Sequence, residues 1–159
     1  MRNKKNAPLI PFLGLSALVA VMDQLSKKWI AANLAPYESI KVIPGFFSIT
    51  FVTNTGAAFG LFSGNESWRK ILFLTITVLA MGFIIYVYKN SKNYTWTLLL
   101  GSSFVFGGAL GNLVDRIFHS KVIDFFLFYL GRWSWPAFNV ADTAITIGAF
   151  LIACHFFKE

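Results

Sequence analysis

The stretch FNVADTAITIGAFLIACHFF, residues 138–157, is apolar enough to cross a bilayer, yet an acid, Asp142, stands near its start. A carboxylate inside such a segment costs roughly 2.5–3.5 kcal/mol at the helix centre and less near the ends, so it needs a structural or a chemical reason. A structural one is at hand. Asn139 followed three residues later by Asp142 matches a helix start, where an Asn oxygen and a carboxylate satisfy free backbone N–H groups and complement the helix dipole. Spacing alone leaves capping and chemistry equally open.

Working outward, the 159-residue chain is 56% hydrophobic and 18% aromatic, more apolar than the about 45–50% usual for soluble domains. Its mean hydropathy is +0.61. A membrane-spanning helix takes roughly 20 residues, and four stretches qualify, at about 8–30, 71–88, 94–114 and 140–157. The expected fold is therefore a membrane α-helical domain covering residues 1–159, with four transmembrane helices. Two long connections, about 31–70 and 115–138, fall on one side and both termini on the other. Arg2, Lys4, Lys5, Lys89, Lys92 and Lys158 crowd the termini and the short middle loop, which places those on the cytoplasmic side. The basic, apolar N-terminus resembles a secretory signal, but three further spans favour a retained first helix.

The net charge of +7 is explained by anionic lipid headgroups and calls for no nucleic-acid partner. One cysteine, Cys154, excludes an intramolecular disulfide and a multi-Cys metal site. Nothing in the sequence signals a cofactor or a metal, and a monomer is expected.

The connections change character. SIKVIPGFFSITFVTNTGAAFGLFSG (39–64) and KVIDFFLFYLGRWSWPAF (121–138) are rich in β-branched and aromatic residues punctuated by Pro and Gly. They predict a small sheet, two or three short strands from the first and further strands from the second. Phe125, Phe126, Tyr129, Trp133 and Trp135 are expected at headgroup level, so that the sheet lies on the membrane.

The polar residues carry the chemistry. GGALGNLVDR (107–116) offers a small face in Gly107, Gly108 and Gly111 for close helix approach, then Asn112, Asp115 and Arg116 at i, i+3 and i+4. Asp115 is expected to pair with the adjacent Arg116, and Asp23 with Lys27 one turn later. That leaves Asp124 and Asp142 as the free carboxylates at one membrane face. Two acids meeting in a low-dielectric pocket share a proton and so supply an acid and a base together, the arrangement by which aspartic proteases activate water. Other constellations are weaker. His119 and His155 fall on opposite sides with no HExxH, and Ser67 to Lys70 matches S-x-x-K without its partner motifs. A proton-coupled carrier expects acids near the midplane and two symmetric halves, and neither is visible. Gln24 and Ser26 have no evident partner.

Taken together, DQLSK (23–27), NTGAAFG (54–60), GGALGNLVDR (107–116), VIDF (122–125) and FNVADTAITIG (138–148) resemble, in order and spacing, the bacterial lipoprotein signal peptidases, the type II signal peptidases. The resemblance covers nearly the whole chain. It implies a four-helix enzyme of the bacterial inner membrane with an extracytoplasmic β-cradle. Such an enzyme removes the signal peptide of a prolipoprotein just before a cysteine that already carries a diacylglyceryl group. By the same resemblance Asp124 and Asp142 are the catalytic pair. Asn54, Gly108, Asn112, Arg116 and Asn139 fall on positions associated with substrate or inhibitor contact, and Asp23, Lys27 and Asp115 on supporting ones. The glycine face of the third helix is expected to let substrate lie close.

Overall fold

The structure is a computed structural model. It describes residues 7–55 and 67–158, apart from the side chains of Ser67 and Arg69. In chain order the elements are α1 (Leu9–Asn33), β1 (Ser39–Ile43), β2 (Phe47–Asn54), α2 (Ser67–Asn90), α3 (Trp96–His119), β3 (Val122–Leu130), β4 (Trp133–Ser134) and α4 (Val140–Phe156). Among the described residues α1, α2 and α3 are long and apolar enough to span a membrane, and α4, at 17 residues, is a shorter apolar helix. At 1.5 Å per residue α4 reaches about 25 Å, somewhat less than the roughly 30 Å hydrocarbon core.

The central helix is α3, against which α1, α2 and α4 all pack. Small residues make that possible. A Cβ on Gly107 would come within 2.5 Å of the Ser16 carbonyl on α1, and one on Gly108 within 2.5 Å of the Ala141 carbonyl on α4. One on Gly111 would lie 2.5 Å from an Asp23 carboxylate oxygen. Three successive glycines thus let two helices and a buried acid approach the α3 backbone. At the opposite end Phe12, Tyr88, Leu98 and Leu99 form an apolar cluster, with Tyr88 donating its hydroxyl to the Pro8 carbonyl at 3.0 Å.

The strands form one antiparallel sheet in the order β1-β2-β3-β4. Pro44 and Gly45 close the first hairpin: the Phe46 N–H donates to the Ile43 carbonyl at 3.0 Å, with Gly45 at φ +81°, the type II geometry that Pro followed by Gly supports. Between Ile49 and Val52 the β2–β3 register shifts, placing Val52 opposite Asp124. Such a bulge re-aims neighbouring side chains. Beyond β4 the chain returns along β3 through a bridge between Phe126 and Phe138, and Asn139 follows immediately as the cap of α4. This hands Asn139 to Asp124.

Two sequence expectations shift. The third helix runs on to His119, so Asp115 and Arg116 belong to it rather than to the connection after it. Phe125 is buried rather than turned outward, whereas Trp133 and Trp135 are exposed.

Candidate active site

On α1, Asp23 and Lys27 are one turn apart, and on α3, Asn112 and Asp115 present the same face to them. The Lys27 ammonium lies 2.7 Å from Asp23 Oδ2 and 2.8 Å from Asp115 Oδ2, and it donates to Asn112 Oδ1 at 2.8 Å. The buried ammonium is thus paired with two carboxylates and hydrogen-bonded to Asp23 and Asn112. Asp23 Oδ1 also accepts the main-chain N–H of Ala141 at 2.9 Å, which ties α1 to the first turn of α4. Gln24 donates to Asp115 Oδ1 at 2.8 Å and to the Gly111 carbonyl at 3.0 Å.

The network continues through two amides. Asn112 Nδ2 donates to Asp142 Oδ1 at 2.9 Å. Asn139 Nδ2 donates to Asp124 Oδ1 at 2.7 Å, and Asn54 Nδ2 to Asp124 Oδ2 at 3.2 Å. Asn139 also caps α4 in both directions: its Oδ1 accepts the Asp142 N–H at 2.9 Å, and its own N–H donates to Asp142 Oδ2 at 3.3 Å. This is a capping box. The two readings of Asp142 therefore coincide, since one carboxylate closes the helix start and also faces the cleft described next.

A cleft of about 470 Å³ opens beside these residues. Asn54, Asn112, Arg116, Asp124 and Asp142 supply its polar wall, and Phe138, Ile145 and Ile147 are among its apolar lining. The Arg116 guanidinium sits over the Phe73 ring, 5.5 Å from its centroid. Asp124 is 4% exposed. Burial first, and then the neighbouring Asp142 charge, push it from the ordinary 3.8 up to about 7, against the opposing pull of the Asn54 and Asn139 amides and of Lys27. A carboxyl group so placed is protonated in about half of the molecules at pH 7.

The structure thus brings Asp124 and Asp142 together with Asn54, Asn112, Arg116 and Asn139. Gly108 is different: its open side is filled by α4, and it does not line the cleft. The glycine face of α3 serves helix packing against α1 and α4, as its small-residue spacing leads one to expect. Asp115 pairs with Lys27 and not with Arg116, because successive helical residues point about 100° apart. Gln24 escaped the sequence reading, since its partners lie on a helix some ninety residues away. Residues 56–60 of NTGAAFG fall outside the described residues, as does the Ser67 side chain; Lys70 donates to the Ile117 carbonyl and to Ser120. His155 lies beside Ser91 and Thr95, at the far end of α4 from Asp142. Among the described residues no group of three His, Cys, Asp or Glu could hold a metal ion.

Comparison with known proteins now adds to this geometry. The family described as Signal peptidase (SPase) II matches residues 15–158. The chain belongs to the signal peptidase II family. A lipoprotein signal peptidase of Pseudoalteromonas atlantica is 44% identical over 148 residues, 93% of this chain and 90% of the relative. Those of Shewanella sp. strain MR-4 and Pseudomonas aeruginosa strain UCBPP-PA14 are 48% and 42% identical, covering 85% and 94% of the chain and 79% and 89% of the relatives. Two solved structures, both described as bacterial membrane enzymes obtained by the in meso method, at 2.3 and 1.9 Å resolution, superpose with TM-scores of 0.85 and 0.84 at 32% and 31% identity. Each covers 98% of this chain, which spans 92% and 98% of theirs. As a member of the signal peptidase II family the protein is a multi-pass membrane aspartic peptidase that removes signal peptides from prolipoproteins.

Proposed function

We propose that Asp124 and Asp142 are the catalytic dyad of this peptidase and that its substrate is a prolipoprotein with a diacylglyceryl group on the cysteine following the scissile bond. The observation that carries the reading is the pair of carboxylates on one wall of a cleft, oriented by fixed amide donors and bordered by apolar residues. With Asp124 protonated, its O–H donates to the scissile carbonyl oxygen while Asp142 takes a proton from water, whose oxygen adds to the carbonyl carbon. The resulting diol collapses as the amide nitrogen receives a proton and leaves, which frees the lipidated cysteine as the new N-terminus. Arg116, Asn54 and Asn112 hydrogen-bond the substrate backbone along the cleft.

The same reading sets the site near the extracytoplasmic face of the bacterial inner membrane, with both termini cytoplasmic. A lipid-anchored substrate arriving laterally presents its scissile bond near the headgroups, and α4 begins at the dyad rather than passing it. Purified protein in detergent is expected to cleave a diacylglyceryl-modified prolipoprotein and leave its unmodified twin intact on a gel-shift assay. Asp124→Asn and Asp142→Asn are expected to be inactive. Cleavage of both twins would remove the lipid requirement, and near wild-type cleavage by Asp142→Asn would remove Asp142 from the dyad.

A further inference from the structure

Lys27 is 2% exposed and does not line the cleft. One of its N–H groups is donated to Asp23 Oδ2 at 2.7 Å and one to a neutral amide oxygen, Asn112 Oδ1, at 2.8 Å, while Asp115 Oδ2 lies at ion-pair distance, 2.8 Å. The bond to the amide bears on the chemistry. An asparagine amide can face either way, and one direction would set its carbonyl oxygen 2.9 Å from Asp142 Oδ1 where an N–H now donates. An ammonium has donors and no acceptor, so it meets only the oxygen of the amide. A second donor, Asn139 Nδ2, reaches the same oxygen at 3.3 Å. Reversing Asn112 would leave two donors facing an NH2 group and two oxygens facing each other.

We infer that Lys27 is a positioning residue of the dyad: the N–H it donates to Asn112 fixes the direction of that amide and, through it, the orientation of the Asp142 carboxylate. The inference rests on the dyad reading above. The line of contact runs from the buried ammonium on α1, through one side chain of α3, to the first turn of α4. Lys27 itself stays outside the cleft lining.

Removing Lys27 alone strands two buried carboxylates, so the test uses a background that removes one of them, and its charge-matched comparison is Lys27→Met against Lys27→Gln. Asp23, Lys27 and Asp115 together carry one net negative charge, and so does Asp23 alone in the variant Lys27→Met with Asp115→Asn. There Asp23 still accepts from Ala141 and Gln24, while Asn112 has lost its ammonium. The reference is Asp115→Asn, which keeps Lys27. Steady-state cleavage of a diacylglyceryl-modified prolipoprotein is expected to show kcat about 10- to 100-fold below the reference with KM within about 2-fold, as misorientation of a reacting group produces. Adding Asn112→Ala is expected to cost much less in the Lys27→Met background than in the reference, because the two act in series. Lys27→Gln in the same background restores an N–H donor without the charge and is expected to return kcat to within about threefold of the reference.

An unchanged kcat in the Met variant, or losses from Lys27→Met and Asn112→Ala that simply multiply, would overturn the inference. If the Met variant shows no cooperative thermal transition in detergent, the Gln variant decides: a folded Gln protein more than about tenfold slower than the reference overturns it equally. Failure of the dyad reading is distinguishable, because Asp124→Asn and Asp142→Asn would then still cleave.

Discussion

Asp23 and Asp115 are 0% and 2% exposed and share the Lys27 ammonium, with the Ala141 N–H and Gln24 taking up further lone pairs. Asp124 and Asp142 belong to the same network of amides, yet among the described residues no cation bonds to them directly, and a cleft opens beside them. The first cluster is closed: two helices hold it, with a contact from the start of a third. The second is left with capacity for one more partner. Identical side chains therefore hold a bundle together in one place and remain available for chemistry one amide, Asn112, further along the network. The difference lies in whether a fixed cation sits between the two carboxylates.

That contrast can be tested from each side. The largest effect belongs to the open pair. Asp142→Asn keeps an oxygen for the cap of α4 but loses the base, so cleavage is expected to fall by about 10³-fold or more, while the melting temperature in detergent stays within a few degrees. In the closed cluster the order reverses. Lys27→Met alone is expected to cost about 3–5 kcal/mol of stability, since it leaves buried carboxylates without their cation, and thermal unfolding in detergent would register the loss directly. Equal melting temperatures for the two variants would erase the distinction between the clusters. Next comes packing. Gly111→Ala puts a methyl where an Asp23 oxygen now lies 2.5 Å away and is expected to cost about 1–3 kcal/mol, read from the same unfolding curves.

The smallest effect is in pH. Asp124 is raised to about 7 from an ordinary 3.8, so the folded protein binds more protons than the unfolded chain across that window. Stability therefore declines as pH rises from about 4 to 7, and activity that needs protonated Asp124 falls as pH rises through about 7. The Asn54 amide favours the ionised form. Asn54→Ala is thus expected to move the alkaline limb of the rate profile upward by up to about one pH unit, the equivalent of one hydrogen bond. A limb that moves down, or none at all in this range, would count against Asp124 as the acid.

Much of this was legible in the chain. Long apolar runs locate the four helices, and alternating β-branched and aromatic residues locate the sheet, because both follow from local periodicity. Asp23 with Lys27 is a one-turn relation and could be read as such. What escaped was everything set by packing across helices. Asp115 beside Arg116 suggests a pair, but the turn of the helix sends one toward α1 and the other toward Phe73 on α2. Gln24 was unreadable because its partners are 87 and 91 residues away. The glycines of α3 were legible as a close-approach face, yet only the assembled bundle shows which neighbours approach: α1 at Gly107 and Gly111, α4 at Gly108. Asp142 was read as either a cap or a catalyst because spacing along one segment cannot reveal what faces that segment from another.

Asn139 gives the dyad a mechanical property. Its amide oxygen is bonded to the first turn of α4 and its amide nitrogen to Asp124 on β3, so one side chain acts as a strut between a helix and a sheet edge. A helix shorter than the hydrocarbon core is met by local thinning of the bilayer rather than by tilting, and a displacement of the start of α4 relative to β3 has to break the Asn139 bonds. The spacing of the two carboxylates is thereby tied to one side chain that holds both elements at once.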